Sequence, residues 1–151
     1  MRGVWAGAVL AMLVGLAVPA SAASESAVNA RIEALLGNST RFETSIKLFE
    51  QAVAADSRED VAAFVRYPIV VTIGGHKRVI RSARDFLQRY EQIVTPGIVT
   101  ALAGQSYGDL AVSRQGIELA GGQVRFSGMC LDRRCRQVVP KVVNIQPAGT
   151  N

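Results

Sequence analysis

Carboxylates and a single histidine decide whether this chain can run acid–base chemistry. A general base needs a proton within reach and a pKa near the working pH. Asp85 falls in the first turn of a predicted helix, where a carboxylate favours the helix dipole. Asp56 and Asp60 flank another helix start, Asp109 follows Gly108 in a turn, and Asp132 lies between two cysteines. Each of these positions suits a cap or turn. His76 follows Gly74-Gly75 in a hairpin turn and has no orienting partner nearby in sequence. No H-E-x-x-H or P-loop pattern occurs, which weakens zinc-hydrolase and nucleotide readings. No catalytic residue, metal ligand or cofactor is therefore assigned.

The cysteines, Cys130 and Cys135, are spaced C-x4-C. Redox motifs place two residues between the cysteines, and zinc needs about four ligands. A structural disulfide across a hairpin loop fits better, worth about 2 kcal/mol in the chain-entropy model. Ligand-binding candidates are polar groups on apolar elements. Strand alternation puts Gln123, Arg125, Ser127 and Met129 on one face, and Val124, Phe126, Gly128 and Cys130 on the other. Arg114 interrupts a small apolar strand, and Tyr90 lies on a helical apolar stripe. Tyr90, Arg114 and Arg125 are the candidate set for an anionic or aromatic ligand. In the alternative, both arginines face solvent and the tyrosine packs in the core.

Helices come first in the chain. A short one is predicted over Ala27 to Leu36. A longer one over Thr40 to Ala55 places Phe42, Ile46, Phe49 and Val53 on one face, with Glu43 and Lys47 paired outside. Ser57, with Asp60 three residues on, caps a third helix that should run to Tyr67, before Pro68. Ile69 to Ile73 and Lys77 to Ile80 form a hairpin about Gly74-Gly75. Ser82 caps a helix over Ala83 to Ile93 carrying Phe86, Leu87 and Tyr90, and Ile98 to Ala103 is ambiguous between helix and strand. Strands follow: Leu110 to Arg114, Ile117 to Leu119, Gln123 to Cys130 and Arg136 to Ile145, with a bulge or edge expected at Pro140. Segregated helices and strands indicate an α+β fold.

The segments Phe49-Glu50-Gln51-Ala52-Val53-Ala54-Ala55-Asp56 and Val61-Ala62-Ala63-Phe64-Val65-Arg66-Tyr67-Pro68 resemble the opening of nuclear-transport-factor-2-like domains. So do the hairpin, Ser82-Ala83-Arg84-Asp85-Phe86 and the closing Val143-Asn144-Ile145. The resemblance covers about residues 42 to 146 and is greatest to small exported bacterial members. It implies N-terminal helices packed in a strongly curved, mostly antiparallel sheet. The resulting cone has a pocket at its open end, where Tyr90, Arg114 and Arg125 would line the mouth. The family contains isomerases, dehydratases and cyclases beside non-catalytic binding domains, so membership does not set function.

At the N-terminus, Arg2, the uncharged run from Val4 to Val18, Pro19 and Ala20-Ser21-Ala22 follow the order of a secretory signal peptide, with cleavage after Ala22. An uncleaved anchor is the alternative, although the run is shorter than the ~20 residues of a membrane span. The expected organisation is a signal peptide over 1–22, an N-terminal extension over 23–38, one α+β domain over 39–147 and a tail over 148–151. The chain carries 17 Lys and Arg against 12 Asp and Glu, and loss of Arg2 with the leader leaves a net charge of +4. The basic groups cluster at Lys77, Arg78, Arg81 and Arg84 and at Arg133, Arg134 and Arg136, without the interleaved aromatics of a single-strand nucleic-acid platform. The sequence thus predicts a periplasmic or secreted domain that binds a small molecule or an envelope protein. It meets the membrane only through its signal peptide and binds no nucleic acid. An isomerase, dehydratase or cyclase using a cone pocket, and a homodimeric interaction or inhibitor protein, are the alternatives.

Overall fold

The computed structural model describes residues 20–148, and the stretch from Met1 to Pro19, which carries most of the signal peptide expected from sequence, lies outside them. The fold is α+β, with six α-helices and two antiparallel sheets among the described residues. Helix α1 (Ala20–Leu35) contains Ala22 in its first turn. It delivers Val28 and Ile32, four residues apart, to the core. It thus occupies most of the stretch that sequence sets apart as an extension. Gly37 and Asn38, both at positive φ, end it, and the Asn38 side chain caps α2 (Ser39–Ala54) by accepting from Arg41 N. Phe42, Ile46, Phe49 and Val53 are all buried on α2, as their spacing requires.

Ser57 holds the N-cap position of α3 (Arg58–Phe64), but its side chain makes no capping bond, contrary to expectation. Glu59 and Asp60 in the first turn complement the helix dipole instead. The helix also stops at Phe64 rather than Tyr67. Val65 is extended and buried, and it bridges Val142 in parallel while Arg66 N donates to Val142 O at 2.9 Å. The extended geometry that Pro68 favours upstream thus reaches further back, because Val65 gains a strand partner. The Tyr67–Pro68 peptide is cis.

Strands β1 (Ile69–Ile73) and β2 (His76–Ile80) form the predicted hairpin. Gly74 and Gly75 both have positive φ, the type I′ turn that suits strand twist. Ser82 accepts from Asp85 N to cap α4 (Ala83–Gln88). The single helix expected up to Ile93 breaks at Arg89 (φ −120°), where the N–H bonds to Phe86 O, and α5 (Tyr90–Ile93) follows. Phe86, Tyr90 and Ile93 are all buried by this arrangement. Thr95 and Pro96 start α6 (Pro96–Gly104), which settles the ambiguous stretch as helix: Thr95 accepts from Ile98 N, and Pro96 sits where its missing N–H costs nothing.

Strands β3 (Ala111–Ser113), β4 (Gly116–Leu119), β5 (Val124–Cys130) and β6 (Val138–Ile145) make a meander in chain order. Pro140 lies on β6, an edge strand of this sheet as expected, and pairs with Gly128; the register shift falls instead between Arg125 and Phe126 on β5. Val65, outside both sheets, bridges to Val142 of β6, and neither sheet closes into a barrel. The core centres on Phe49, whose ring meets Phe64 and Phe126 edge-on at 5.8 and 5.2 Å. At the far end of the meander, Cys130 and Cys135 form the predicted disulfide, with Cα atoms 4.7 Å apart. Asp132 organises that loop by accepting from the backbone N–H groups of Arg134, Arg136 and Gln137, which hold its carboxyl below the usual range.

Candidate functional site

Four elements meet around one cleft of about 560 Å³. The end of α2 supplies Val53, the turn after it Asp56, α3 begins with Arg58, α5 with Tyr90 and Glu91, and α6 carries Pro96, Val99 and Thr100. Val53, Val94, Pro96 and Val99 make the cleft mostly apolar. Asp56 has φ 50°, so the chain reverses there and brings its carboxylate back to Arg58. Arg58 Nε lies 3.3 Å from Asp56 Oδ1, and Arg58 Nη2 3.1 Å from Glu91 Oε1. This double clamp holds the guanidinium 4.9 Å from the centre of the Tyr90 ring, a cation–π contact. Asp56 and Glu91 are well exposed, so the ion pairs orient Arg58 more than they stabilise the fold.

Tyr90 is only 4% exposed, yet its hydroxyl makes no hydrogen bond. Burial pushes its pKa up, the Asp56 charge adds to that, and Arg58 opposes it. A buried neutral hydroxyl without a partner is costly and uncommon. Tyr90 lines the cleft, and its hydroxyl is shut off from solvent with a donor unused.

A second groove of about 320 Å³ adjoins the first, since Val53 and Val99 line both. Lys47, Glu50, Leu102 and Ala103 continue it along α2 and α6. Lys47 and Glu50 are both engaged. Glu50 accepts from Gln105 Nε2 at 2.7 Å, and Gln105 Oε1 accepts from Ala120 N at 2.7 Å. Burial raises the Glu50 pKa against these bonds and the Lys47 charge. Beyond it, the Tyr107 hydroxyl donates to Asn29 Oδ1 at 2.7 Å, Asn29 Nδ2 donates to Glu43 Oε2 at 2.7 Å, and Lys47 donates to Glu43 Oε1 at 2.6 Å.

Of the three residues picked from sequence, Tyr90 lines the main cleft, and the other two lie elsewhere. Arg114 is exposed in the tight turn joining β3 and β4. Arg125 points away from the Phe126 side of β5 and donates to Glu118, its cross-strand neighbour, at 2.8 Å. Its Nε is buried and unpartnered. Strand alternation correctly separated Arg125 from the core face, but the resemblance placed it at a pocket mouth, and none of the four main clefts is lined by more than one of the three. Sequence reading passed over Arg58 and Glu91 and treated Asp56 only as a helix-start residue. The one local signal was the Asp56-Ser57-Arg58 step, because Glu91 joins from 33 residues away. His76 is exposed at the start of β2. Among the described residues, no three His, Cys, Asp or Glu side chains group as metal ligands.

No protein-family model matches the chain, and comparison with curated proteins and with solved structures finds no match either.

Proposed function

We propose that the chain is an exported, non-catalytic binding domain. Its Tyr90 cleft takes a small, mostly apolar molecule bearing one hydrogen-bond acceptor. The observation that carries this reading is that Tyr90, whose buried hydroxyl has no partner, is one of the residues lining the cleft. A cleft of this size with apolar walls and few polar groups is the usual form of a small-molecule site. The acceptor would meet the Tyr90 hydroxyl, and the apolar body would cover Val53, Val94, Pro96 and Val99.

The enzyme alternative needs a base within reach of a tyrosine or substrate. Asp56 is turned to Arg58, and no carboxylate or imidazole bonds to the Tyr90 hydroxyl. That favours binding over isomerisation or dehydration. The export reading draws on the leader-like N-terminus and on a disulfide, which forms in oxidising compartments and suits a periplasmic or secreted protein. Cleavage after Ala22 would leave Val28 and Ile32 of α1 in place. The nuclear-transport-factor-2-like cone is part of the same proposal. It draws on the order of helices, hairpin and four-strand meander, and on the Val65–Val142 bridge that sets the hairpin beside β6.

Acetophenone, an aryl ketone, is a suitable probe. Titration followed by nuclear magnetic resonance should shift Tyr90 and Val99 signals saturably. Tyr90→Phe should weaken binding about tenfold, the worth of one hydrogen bond, and Val99→Trp should abolish it by filling the cleft. Equal binding by a folded Val99→Trp protein would sink the assignment of the site.

A further inference from the structure

Among the described residues, every sheet edge but one receives at least one hydrogen bond from outside its ladder. The β3 edge lies under α1, and Arg31 Nη2 reaches Val112 O at 3.5 Å. The β6 edge is met by Arg66 N at Val142 O and by Arg41 Nη1 at Val138 O, 2.8 Å. On β1, the side away from β2 receives Gln146 Nε2 at Val70 O, 3.1 Å. Strand β2 has no such cover: among the described residues, His76–Ile80 makes no backbone bond outside its ladder with β1.

The register defines what that edge offers. The two-residue I′ turn makes Ile73 and His76 a hydrogen-bonded pair, so the pairs alternate from there. Val71–Arg78 and Ile69–Ile80 are bonded, while Lys77 and Val79 turn their N–H and C=O groups outward. On the face that Lys77 and Val79 share with Thr72 and Val70, both valines are exposed, at 50% and 46%. From Gly74 to Arg84 the chain has Lys77, Arg78, Arg81 and Arg84 and no acid. All four are exposed, and none forms an ion pair among the described residues.

We infer that the open edge of β2 receives an extended acidic segment of a partner protein, which adds as a further strand. Backbone bonds to Lys77 and Val79 would supply register, the valine strip would take alternate apolar side chains, and the four cations would select carboxylates. Charged edges normally deter pairing with other strands. Here the deterrent is one-signed, so it rejects basic edges, including β2 of a second copy, and admits acidic ones.

The test uses a synthetic peptide of alternating Glu and Val, beside its counterpart methylated at every peptide nitrogen and a Lys-Val version. The Glu-Val peptide should bind saturably at low salt, shift the Lys77 and Val79 amide signals and slow their hydrogen exchange. The methylated and Lys-Val peptides should bind at least tenfold more weakly. Val79→Pro removes one outward N–H without touching the ladder and should weaken binding at least tenfold. Lys77→Glu with Arg78→Glu should do the same and gives a second variant should the proline disturb the hairpin. Equal binding of the methylated peptide, or of a folded Val79→Pro protein, would overturn strand addition. So would absence of peptide binding at millimolar concentration, with or without capture of the protein by vesicles containing anionic lipid. None of these readouts involves the Tyr90 cleft.

Discussion

Two buried tyrosines have opposite surroundings. Tyr107, 8% exposed, donates into a closed chain through Asn29 and Glu43 to Lys47, whose ammonium also lies 5.3 Å from its ring centre. Tyr90, 4% exposed, also has a cation over its ring, but its hydroxyl meets nothing. The first arrangement joins three segments, α1, α2 and the turn at Tyr107–Asp109. It satisfies its own polar atoms and so fastens α1 to the body. The second leaves an unpaired donor on a residue that lines an apolar cleft. Similar residues therefore do different work: a closed polar chain stabilises, and an open one is available to a ligand.

The largest effect should come from breaking the closed chain at its centre. Asn29→Leu leaves both the Tyr107 hydroxyl and a Glu43 oxygen without their partner, and urea unfolding should show a loss of about 2–3 kcal/mol. Tyr107→Phe removes one donor and leaves Asn29 to solvent or rearrangement, so the loss should be about 1–2 kcal/mol. The same change at the other tyrosine should behave differently. Tyr90→Phe removes a buried group that has no bond to lose, so stability should be unchanged or rise by up to about 1 kcal/mol. Equal losses from the two Phe variants would dissolve the contrast and with it the reading of Tyr90 as a site residue.

The sequence disclosed these features unevenly, for physical reasons. The buried face of α2, the β1–β2 hairpin and the disulfide loop were legible because periodicity, a Gly-Gly turn and C-x4-C spacing are local signals. The early end of α3 was not, because Val65 answers to Val142, a partner 77 residues on. The break at Arg89 was hidden for a similar reason: Phe86, Tyr90 and Ile93 fit one helical stripe, and only packing divides it. At the cleft, Tyr90 was legible as an amphipathic group on an apolar stripe. Its neighbours Arg58 and Glu91 were not, since their charges read as solvated faces until the fold brings them together. Arg125 is the reverse case: its face was legible, but its ion pair with Glu118 across the ladder was not.

The smallest effect is a pH dependence that separates the two glutamates along α2. In Glu43, the bond from Lys47, then that from Asn29, holds the folded-state pKa below the ordinary value of 4.5. Its contribution to stability is therefore present above that value and is lost as pH falls through the lower, folded pKa. In Glu50, burial raises the pKa, and the Gln105 bond and Lys47 charge only partly offset this. The folded state then holds the proton more tightly, so stability declines as pH rises from 4.5 through the raised value. Glu43→Gln should lower the urea midpoint at pH 7 and leave it nearly unchanged at pH 3. Glu50→Gln keeps an oxygen to accept from Gln105, and should raise the midpoint at pH 7 and leave it unchanged at pH 3. Opposite signs at pH 7 are expected because the Glu43 carboxylate is matched by its donors, whereas Glu50 keeps its charge at the cost of desolvation. If both variants lowered the midpoint at pH 7, Glu50 would belong with Glu43 to the closed chain, and the boundary between fastening and open cleft would move toward Val53.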